Sequence, residues 1–220
     1  MANELIKSKE RVQRHGEVFT PTWMVEKMLS EPGIQQKLRD MHATFLEPSA
    51  GEGAFLTEIL RQKLAYVNEN PASRGVNWQY NALWALASIY GIEYLADNLA
   101  KARENMLQVF CENYKAKTSR ELPEDSDLYC SARFLIRANI VQGNTLTHHT
   151  AEDEPIRFSD WQQDEQRKRL VRRHEFCYDE LFAEEQQADE MNLFAAEPEE
   201  QERETVSQPI DLLKVWQLEG

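Results

Sequence analysis

The segment Phe45–Leu56, FLEPSAGEGAFL, limits the possible folds of this chain more than any other part of it. It begins with apolar residues typical of the end of a buried strand, and from Phe55 onward the apolar residues repeat with helical spacing. Gly51 and Gly53 predict a tight turn between the two. A strand, a glycine turn and a helix form the ligand cradle of an open α/β sheet, because glycine lets the backbone approach a ligand and the helix start offers unpaired N–H groups. Glu47 at the strand tip suits a cationic ligand group better than a phosphate, although an ordinary strand–turn–helix junction remains the alternative.

Length and composition predict one domain of ordinary size with appendages. The chain has 220 residues, 41% of them hydrophobic and five of them Trp, which is enough for a core. No apolar run approaches the roughly 20 residues that span a bilayer, and the first residues lack the apolar stretch of a secretory signal. The three cysteines are widely spaced and odd in number, which favours structural thiols in a reducing compartment over disulfides or zinc. We therefore expect a cytoplasmic protein without a membrane partner.

The negative charge is concentrated near the C-terminus. The formal net charge is −13, which argues against simple non-specific DNA binding. Between Asp179 and Glu204 there are many acids and a single base, Arg203. Residues 179–220 are therefore predicted to form a largely disordered acidic tail, with an apolar segment at Pro209–Leu218 that could dock elsewhere or engage a protein partner.

The rest of the chain alternates strands and helices. A second strand is predicted at Ser88–Tyr94 with a helix after it, and a third at Asn139–Gln142. Such β–α units in series predict a parallel sheet with right-handed crossovers. We expect an arm and a first helix in residues 1–30, an α/β ligand-binding domain in residues 31–150, and an extension in residues 151–178.

Within that extension, Ile156–Trp161 is predicted to be a strand and Glu165–Arg173 a basic helix. Its arginines and lysine could contact phosphates, or they could form a solvated face together with the neighbouring acids.

Polar residues close the predicted strands at one edge of the sheet. Glu47 with the glycine turn, Glu93, and Gly143-Asn144 all follow strands, and ligands of open α/β sheets bind at the carboxyl ends of strands. An acid such as Glu93 can accept both hydrogens of a ribose diol, and an amide such as Asn144 can pair with an adenine amine. These residues predict a ligand that contains adenosine. Alternatively, Glu93 is a solvated strand end and Asn144 a turn residue.

Four segments in order resemble successive motifs of the N6-adenine DNA methyltransferases. They are Gly16–Pro21 (GEVFTP), Leu46–Leu56 (LEPSAGEGAFL), Tyr90–Arg103 (YGIEYLADNLAKAR) and Asn139–Leu146 (NIVQGNTL). Their order is that of the Taq-like group of restriction–modification methylases, and the resemblance covers about Arg11 to Leu146. It implies a Rossmann-like class I methyltransferase fold, of which this chain holds the cofactor-binding half of the sheet.

The resemblance also implies a cofactor, S-adenosylmethionine, and the residues that hold it. The implied set is Phe19, Thr20, Pro21, Glu47, Ser49, Ala50, Gly51, Gly53, Phe55, Glu93, Tyr94 and Asn144. In it, Thr20 lies near the methionine carboxylate, Glu93 holds the ribose hydroxyls and Tyr94 lies beside the adenine face. Asn144 stands where the family usually has Asp, and its side-chain oxygen is expected to accept from the adenine N6 amine.

The chain departs from the family at the catalytic motif. The family uses Asn or Asp, two prolines and an aromatic residue to hold the flipped base, but this chain has no Pro-Pro pair. Its one Asn-Pro, Asn70-Pro71, continues with Ala72-Ser73 and precedes the second strand. No catalytic residue is therefore predicted.

We expect the cofactor-binding component of an adenine-specific DNA methyltransferase, which reaches DNA with or through a partner subunit. The alternative is a catalytically inactive, methyltransferase-like protein that binds a partner through its acidic tail.

Overall fold

The computed structural model describes residues 8, 10, 11, 13, 18–72, 75–181, 204, 205 and 207–218. Its N-terminal part carries helices α1 and α2, at Thr22–Leu29 and Pro32–Leu38. The central part alternates strands and helices: β1 Phe45–Glu47, α3 Ala54–Glu69, α4 Val76–Ala87, β2 Ile89–Glu93, α5 Ala96–Thr118, α6 Asp127–Asn139 and β3 Ile140–Gln142. The C-terminal part comprises β4 Arg157–Gln163, β5 Leu170–Cys177, β6 Glu204–Thr205, β7 Ile210–Asp211 and a 3-10 helix, Leu212–Leu218. None of the described helices combines the length and the apolar character needed to cross a membrane.

The first three strands form a parallel sheet in the order β1-β2-β3, as the sequence predicts. Glu47 pairs in register with Gly91, and Glu93 with Gln142. Because the strands are parallel, their carboxyl ends lie at the same edge of the sheet. The mixed α/β class and the parallel sheet are therefore present.

Helix α3 covers one face of this sheet. Its apolar stripe is buried, and Gly91 of β2 faces it so closely that a Cβ on Gly91 would lie 3.1 Å from Leu56 Cδ1. The stripe also contains Lys63, which is fully buried. The Lys63 ammonium donates to the carbonyl of Ala43 (2.6 Å) and to Ser88 Oγ (2.6 Å), at the amino ends of β1 and β2. It also donates to the carbonyls of Asp40 and Met41, so α3 holds the starts of both strands in place.

An antiparallel sheet covers the other face, and here a sequence prediction is wrong. The predicted strand at Ile156–Trp161 is present as β4, but the predicted basic helix at Glu165–Arg173 is instead a turn followed by β5. The Asp164 carboxylate accepts from the backbone N–H of Arg167 (2.8 Å), which shapes the turn, and β5 then pairs with β4 on one side and with β6 and β7 on the other. The local sequence of the basic run does not show which segments it pairs with. That pairing with other strands decides its conformation.

An aromatic cluster joins the two sheets. Tyr90 of β2 packs edge-on against Phe158 of β4 (5.4 Å between ring centroids) and Phe176 of β5 (6.0 Å). Ile92 is buried in the same cluster. The side chains of β2 thus alternate between the helical face and the hairpin face, which explains why this strand is buried throughout.

The apolar C-terminal segment is docked. Leu212 and Val215 are buried against the helical core. Asp211 accepts from the Tyr80 hydroxyl (2.9 Å), and burial together with this hydrogen bond raises the pKa of Tyr80 to about 12. Trp216 Nε1 donates to Asp127 at the start of α6 (2.9 Å). Residues 207–218 are therefore part of the folded unit, whereas the acidic residues 182–203 of the predicted tail lie outside the described residues.

Candidate functional site: a hollow at the carboxyl ends of the parallel strands

A hollow of about 620 Å³ opens at the carboxyl edge of the parallel sheet, and we call it the strand-end hollow. This volume lies within the range of about 300–1,000 Å³ that is usual for small-molecule sites. Loops after all three parallel strands contribute to it, together with the segment before α1. The lining residues are Val18, Phe19, Pro48, Ser49, Gly51, Glu93, Tyr94, Leu95, Asn98, Gly143, Asn144, Thr145 and Leu146.

Glu93 is the one charged residue among these described lining residues. It is the last residue of β2 and only 6% exposed. One carboxylate oxygen accepts from the backbone N–H of Gly51 (2.7 Å) and the other from that of Leu95 (2.9 Å). These two bonds fix the orientation of the carboxylate, and an ionised carboxylate has roughly four acceptor positions, so it can still accept two further hydrogens.

The glycine turn after β1 depends on conformations that favour glycine. Gly51 and Gly53 have φ values of 55° and 87°. A Cβ on Gly53 would also lie 3.2 Å from the backbone of Ala102 in α5, so a side chain would be both strained and crowded. The turn is tied to the sheet by the hydrogen bond from Ala50 N to the carbonyl of Ile92 (2.9 Å). The predicted strand–turn–helix cradle is thus present.

Asn144 lies in a tight turn after β3. Its side-chain oxygen accepts from the backbone N–H of Leu146 (2.9 Å), and its own N–H donates to the carbonyl of His149 (2.9 Å). The Thr145 hydroxyl donates to the carbonyl of Pro48, which joins this turn to the loop after β1. Asn144 is therefore both a turn residue and part of the wall of the strand-end hollow.

A second hollow, the helix-side hollow, is also lined by Phe19 and Gly51 and has a volume of about 520 Å³. The Phe19 ring lies 3.8 Å from the position that a Cβ on Gly51 would occupy. Both hollows share Val18, Phe19, Ser49 and Gly51, so they adjoin. The helix-side hollow is the more polar in its residues, which include Arg61, Glu112 and the amides of Asn105 and Gln108.

Large apolar side chains around the strand-end hollow are unusually exposed. Leu146 is 92% exposed, Val18 60% and Tyr94 57%. Exposed apolar groups at the mouth of a cavity mark a surface that a flat ring or another molecule can cover. These walls suit an aromatic ligand part.

Glu47 lies beside the strand-end hollow without lining it. It is half-buried, and its carboxylate accepts from the N–H of Ser49, which does line the hollow (3.1 Å). Burial raises the pKa of Glu47, because an ionised carboxylate loses hydration there. Keeping Glu47 ionised beside the turn therefore lowers the free energy of unfolding.

The cofactor-binding residues predicted from the sequence fall into three groups: those that line the strand-end hollow, those that line the helix-side hollow, and those that line neither. Six line the strand-end hollow: Phe19, Ser49, Gly51, Glu93, Tyr94 and Asn144. Thr20, Ala50 and Phe55 line the helix-side hollow, whereas Pro21, Glu47 and Gly53 line neither.

Sequence reasoning missed several wall residues of the strand-end hollow. They are Val18, Pro48, Leu95, Asn98, Gly143, Thr145 and Leu146. Each follows or precedes a motif residue by a few positions, so proximity to the motifs was the only available signal.

No group of three or more His, Cys, Asp or Glu side chains in the described part of the chain is placed to hold a metal ion. Comparison of the chain with family models, with curated proteins and with solved structures gives no match.

Proposed function

We propose that this protein is the S-adenosylmethionine-binding component of a DNA adenine-N6 methyltransferase, completed by a partner subunit that supplies the catalytic loop and reads DNA. The proposal includes the finer description of the fold as a Rossmann-like, class I methyltransferase half. It combines the motif resemblance with the chemistry of the strand-end hollow.

The observation that carries the proposal is the hydrogen bond between the glycine turn and the Glu93 carboxylate. In sites that bind phosphate, the N–H groups of such a turn point at the anion. Here the Gly51 N–H donates to the Glu93 carboxylate (2.7 Å), and the described lining of the hollow contains no Lys, Arg or His. A phosphate inside the strand-end hollow would meet a buried carboxylate and no cation among the described lining residues. The hollow therefore favours a nucleoside that carries no phosphate.

The same arrangement suits a ribose diol and a cation. The Glu93 carboxylate is pre-oriented and retains acceptor positions for two hydroxyl groups. Glu47 adds a second negative charge beside the loop after β1. A sulfonium ion such as that of S-adenosylmethionine would be attracted to this acidic edge. In this proposal the methionine part extends past Phe19 toward Thr20, between the two hollows.

The proposal of a partner subunit is supported by the strands that come after the parallel sheet. The next strands of the described chain form the antiparallel β4–β5 hairpin, and the sequence carries no Asn-Pro-Pro-aromatic segment. In this proposal the acceptors and the stacking face for a flipped adenine come from the partner subunit. In the hairpin, Arg167 forms an ion pair with Asp164 and Arg173 forms one with Glu175.

That absence also favours a second candidate, a non-catalytic binding protein on the same scaffold. One transfer assay distinguishes the methyltransferase component from the binding protein. The chain is mixed with labelled S-adenosylmethionine, DNA and the product of an adjacent reading frame that carries Asn-Pro-Pro-aromatic. Label on adenine N6 supports the methyltransferase component, and cofactor binding without transfer supports the binding protein.

Isothermal titration calorimetry with S-adenosylmethionine tests the proposal. We expect saturable binding by the wild type, and roughly 10- to 100-fold weaker binding by Glu93→Gln, because charge-assisted hydrogen bonds to the diol are lost. Glu104→Gln is the matched control, since Glu104 is exposed on α5 and paired with Lys101. ATP is expected to bind far more weakly than the methyl donor.

Thermal melts of each variant first establish that it is folded at the titration temperature. Absence of heat at millimolar S-adenosylmethionine, or ATP binding as tight as that of the methyl donor, contradicts the proposal.

A further inference from the structure

We propose that the partner subunit adds a strand to the parallel sheet at the outer edge of β1, running parallel to β1, so that the loop after that strand reaches the strand-end hollow. This inference rests on the proposed function, because it names the surface that receives the partner. It also gives the partner a stated chemistry, an extended segment that pairs through its main chain and places one apolar side chain beside Leu46.

The outer main chain of β1 is open. Among the described strands, β1 pairs with β2 alone. In a parallel ladder alternate residues bond a given neighbour, and the Phe45 N–H donates to the Ser88 carbonyl (3.0 Å). Phe45 and Glu47 therefore direct their main-chain groups toward β2, whereas the N–H and C=O of Leu46 point away from the sheet. No described residue forms a hydrogen bond with either of these two groups.

The opposite edge of the sheet is covered. The Gly143 N–H donates to the Glu93 carbonyl (3.1 Å), so by the same alternation the main chain of Ile140 in β3 faces outward. The Ile140 carbonyl accepts from Arg103 Nε of α5 (2.8 Å). A charged side chain along an edge is one way in which proteins block the addition of another strand. In the part of the chain that the structure describes, β1 has no such cover, so it is the edge that can accept a strand.

An apolar groove lies beside the open edge of β1, on the side of the hairpin, and we call it the edge groove. Its volume is about 120 Å³. Leu46 is the register partner of Tyr90, so the two side chains lie on the same face, next to Phe158 and Phe176. Leu46 is 37% exposed. Alternate side chains of a strand added to β1 point to this face, so one of them fills the edge groove beside Leu46.

Charge limits which strand fits the edge. Asp160 is the charged residue in the described lining of the edge groove, and Glu47 ends β1. Acidic side chains opposite these carboxylates are repelled, whereas Lys or Arg is attracted. The sequence between Asp179 and Glu204 has many acids and one base, Arg203, and a second copy of the chain carries a net charge of −13. Both are disfavoured as occupants, so the edge suits a neutral or basic strand of another protein.

The direction of the added strand decides what it delivers. The carboxyl ends of parallel strands meet at one edge of a sheet, and Pro48 and Ser49, which follow β1, line the strand-end hollow. A strand added parallel to β1 therefore ends beside this hollow, and the loop after it lies over the ligand. That is the position required of the partner's catalytic loop. An antiparallel strand would place its following loop near His42, at the opposite end of β1.

Amide hydrogen exchange of the full chain tests the edge. In the isolated chain, the Leu46 amide should exchange about tenfold or more faster than the Glu47 amide, which faces β2. The probe is the product of the adjacent reading frame that carries Asn-Pro-Pro-aromatic. Saturation with it should slow the exchange of Leu46 by about tenfold or more. Slow exchange of Leu46 in the isolated chain, or exchange that the partner leaves unchanged, overturns the inference.

Leu46→Lys provides a variant of the edge, because a lysine on an edge strand opposes pairing. Calorimetric titration should show about tenfold or more weaker binding of the partner. Binding of S-adenosylmethionine should stay within about twofold of wild type. Met28→Lys is the matched control, since Met28 is 52% exposed on α1 and lines neither hollow nor the edge groove. Thermal melts establish that both variants are folded, and partner binding by Leu46→Lys as tight as that of Met28→Lys overturns the inference.

A nitroxide spin label on the partner tests the direction of the strand. The label is attached to a single cysteine introduced next to the Asn-Pro-Pro-aromatic segment. A parallel strand should bring it close enough to broaden the amide signals of Gly51 and Gly143, while that of Ala43 stays sharp. Broadening of Ala43 with sharp signals for the two glycines overturns the inference, because the catalytic loop then lies away from the strand-end hollow.

The outcomes separate this inference from the function on which it rests. Binding of S-adenosylmethionine and of the partner, with unchanged exchange of Leu46, overturns the inference and leaves the proposed function standing. Protection of Leu46 by the partner without any binding of S-adenosylmethionine overturns the proposed function and leaves the docking edge in place. Absence of a complex with the partner overturns both.

Discussion

At the scale of single residues, the burial of one carboxylate beside the site lowers the stability of the ligand-free protein. Glu47 is a half-buried carboxylate, and burial raises its pKa. Its folded state therefore binds a proton more readily than its unfolded state, so the contribution of Glu47 to stability decreases as the pH rises through the interval above its unfolded pKa. A cationic ligand would offset this cost, because it interacts with the ionised form.

Replacing Glu47 with Gln should increase the free energy of unfolding of the ligand-free protein at pH 7. The Gln side chain keeps an oxygen for the Ser49 N–H but carries no charge, so the burial penalty is removed. The advantage over the wild type should shrink as the pH falls toward 4, where the wild-type carboxyl is protonated. Urea unfolding at pH 4 and pH 7 measures both values. A variant that is less stable than the wild type at pH 7 contradicts this account of Glu47.

Lys63 is the residue on which the start of the sheet depends. Its ammonium group is fully buried and donates to Ala43, Ser88, Asp40 and Met41, and burial lowers the pKa of Lys63 to about 7. In the sequence, Lys63 interrupts an otherwise apolar helical stripe, which indicates that its position is unusual. Its partners lie at both strand starts, and no local pattern predicts that pairing.

Lys63→Met should destabilise the fold by about 3–5 kcal/mol, because it leaves several buried oxygen acceptors without a donor. Lys101→Met is the control, since Lys101 is exposed and forms only a surface pair with Glu104, and it should change stability by less than about 0.5 kcal/mol. Urea denaturation at pH 6 measures both. Equal stability of Lys63→Met and wild type would show that the buried hydrogen bonds contribute nothing.

At the scale of elements, local patterns predict the parallel strands and the helices that connect them, but not the antiparallel sheet. The apolar strands β1 to β3 and the helical spacing of α3 and α5 are visible in the sequence because each element carries its own period. The run from Glu165 to Arg173 carries no such period. Its conformation is set by pairing with β4, which precedes it in the chain, and with β6 and β7, which lie much later in the sequence. The C-terminal segment is likewise held by partners that are remote in sequence.

Leu212 tests the contribution of that segment. It is fully buried under α4 and α6, so Leu212→Ala should lower the free energy of unfolding by about 2–5 kcal/mol. Leu146→Ala removes the same atoms from a side chain that is 92% exposed and should stay within about 0.5 kcal/mol of wild type. Chemical denaturation of both variants gives the comparison. A Leu212→Ala protein as stable as the wild type would mean that the C-terminal segment adds nothing to the fold.

At the scale of the whole molecule, the parallel topology assembles the candidate site. Residues 47, 93 and 144 are far apart in the chain, yet the parallel order β1-β2-β3 brings the ends of their strands to one edge. That convergence could be predicted from the motifs. The sequence could not predict that the Gly51 N–H binds Glu93, that the Asn144 oxygen is used within its own turn, or that Phe19 lines two adjoining hollows, because these depend on loop conformations.

The most direct test of the account is an amide chemical-shift titration of the full chain with S-adenosylhomocysteine. A ligand whose diol binds Glu93 and whose base lies against Asn144 should shift the amide signals of Gly51, Leu95 and Leu146, because these N–H groups donate to those two side chains. The amides of His42 and Ser88, at the opposite ends of the strands, should stay unchanged. Shifts confined to residues outside the strand-end hollow, or no saturable shift at millimolar ligand, would contradict the central claim that this edge of the sheet binds an adenosyl group.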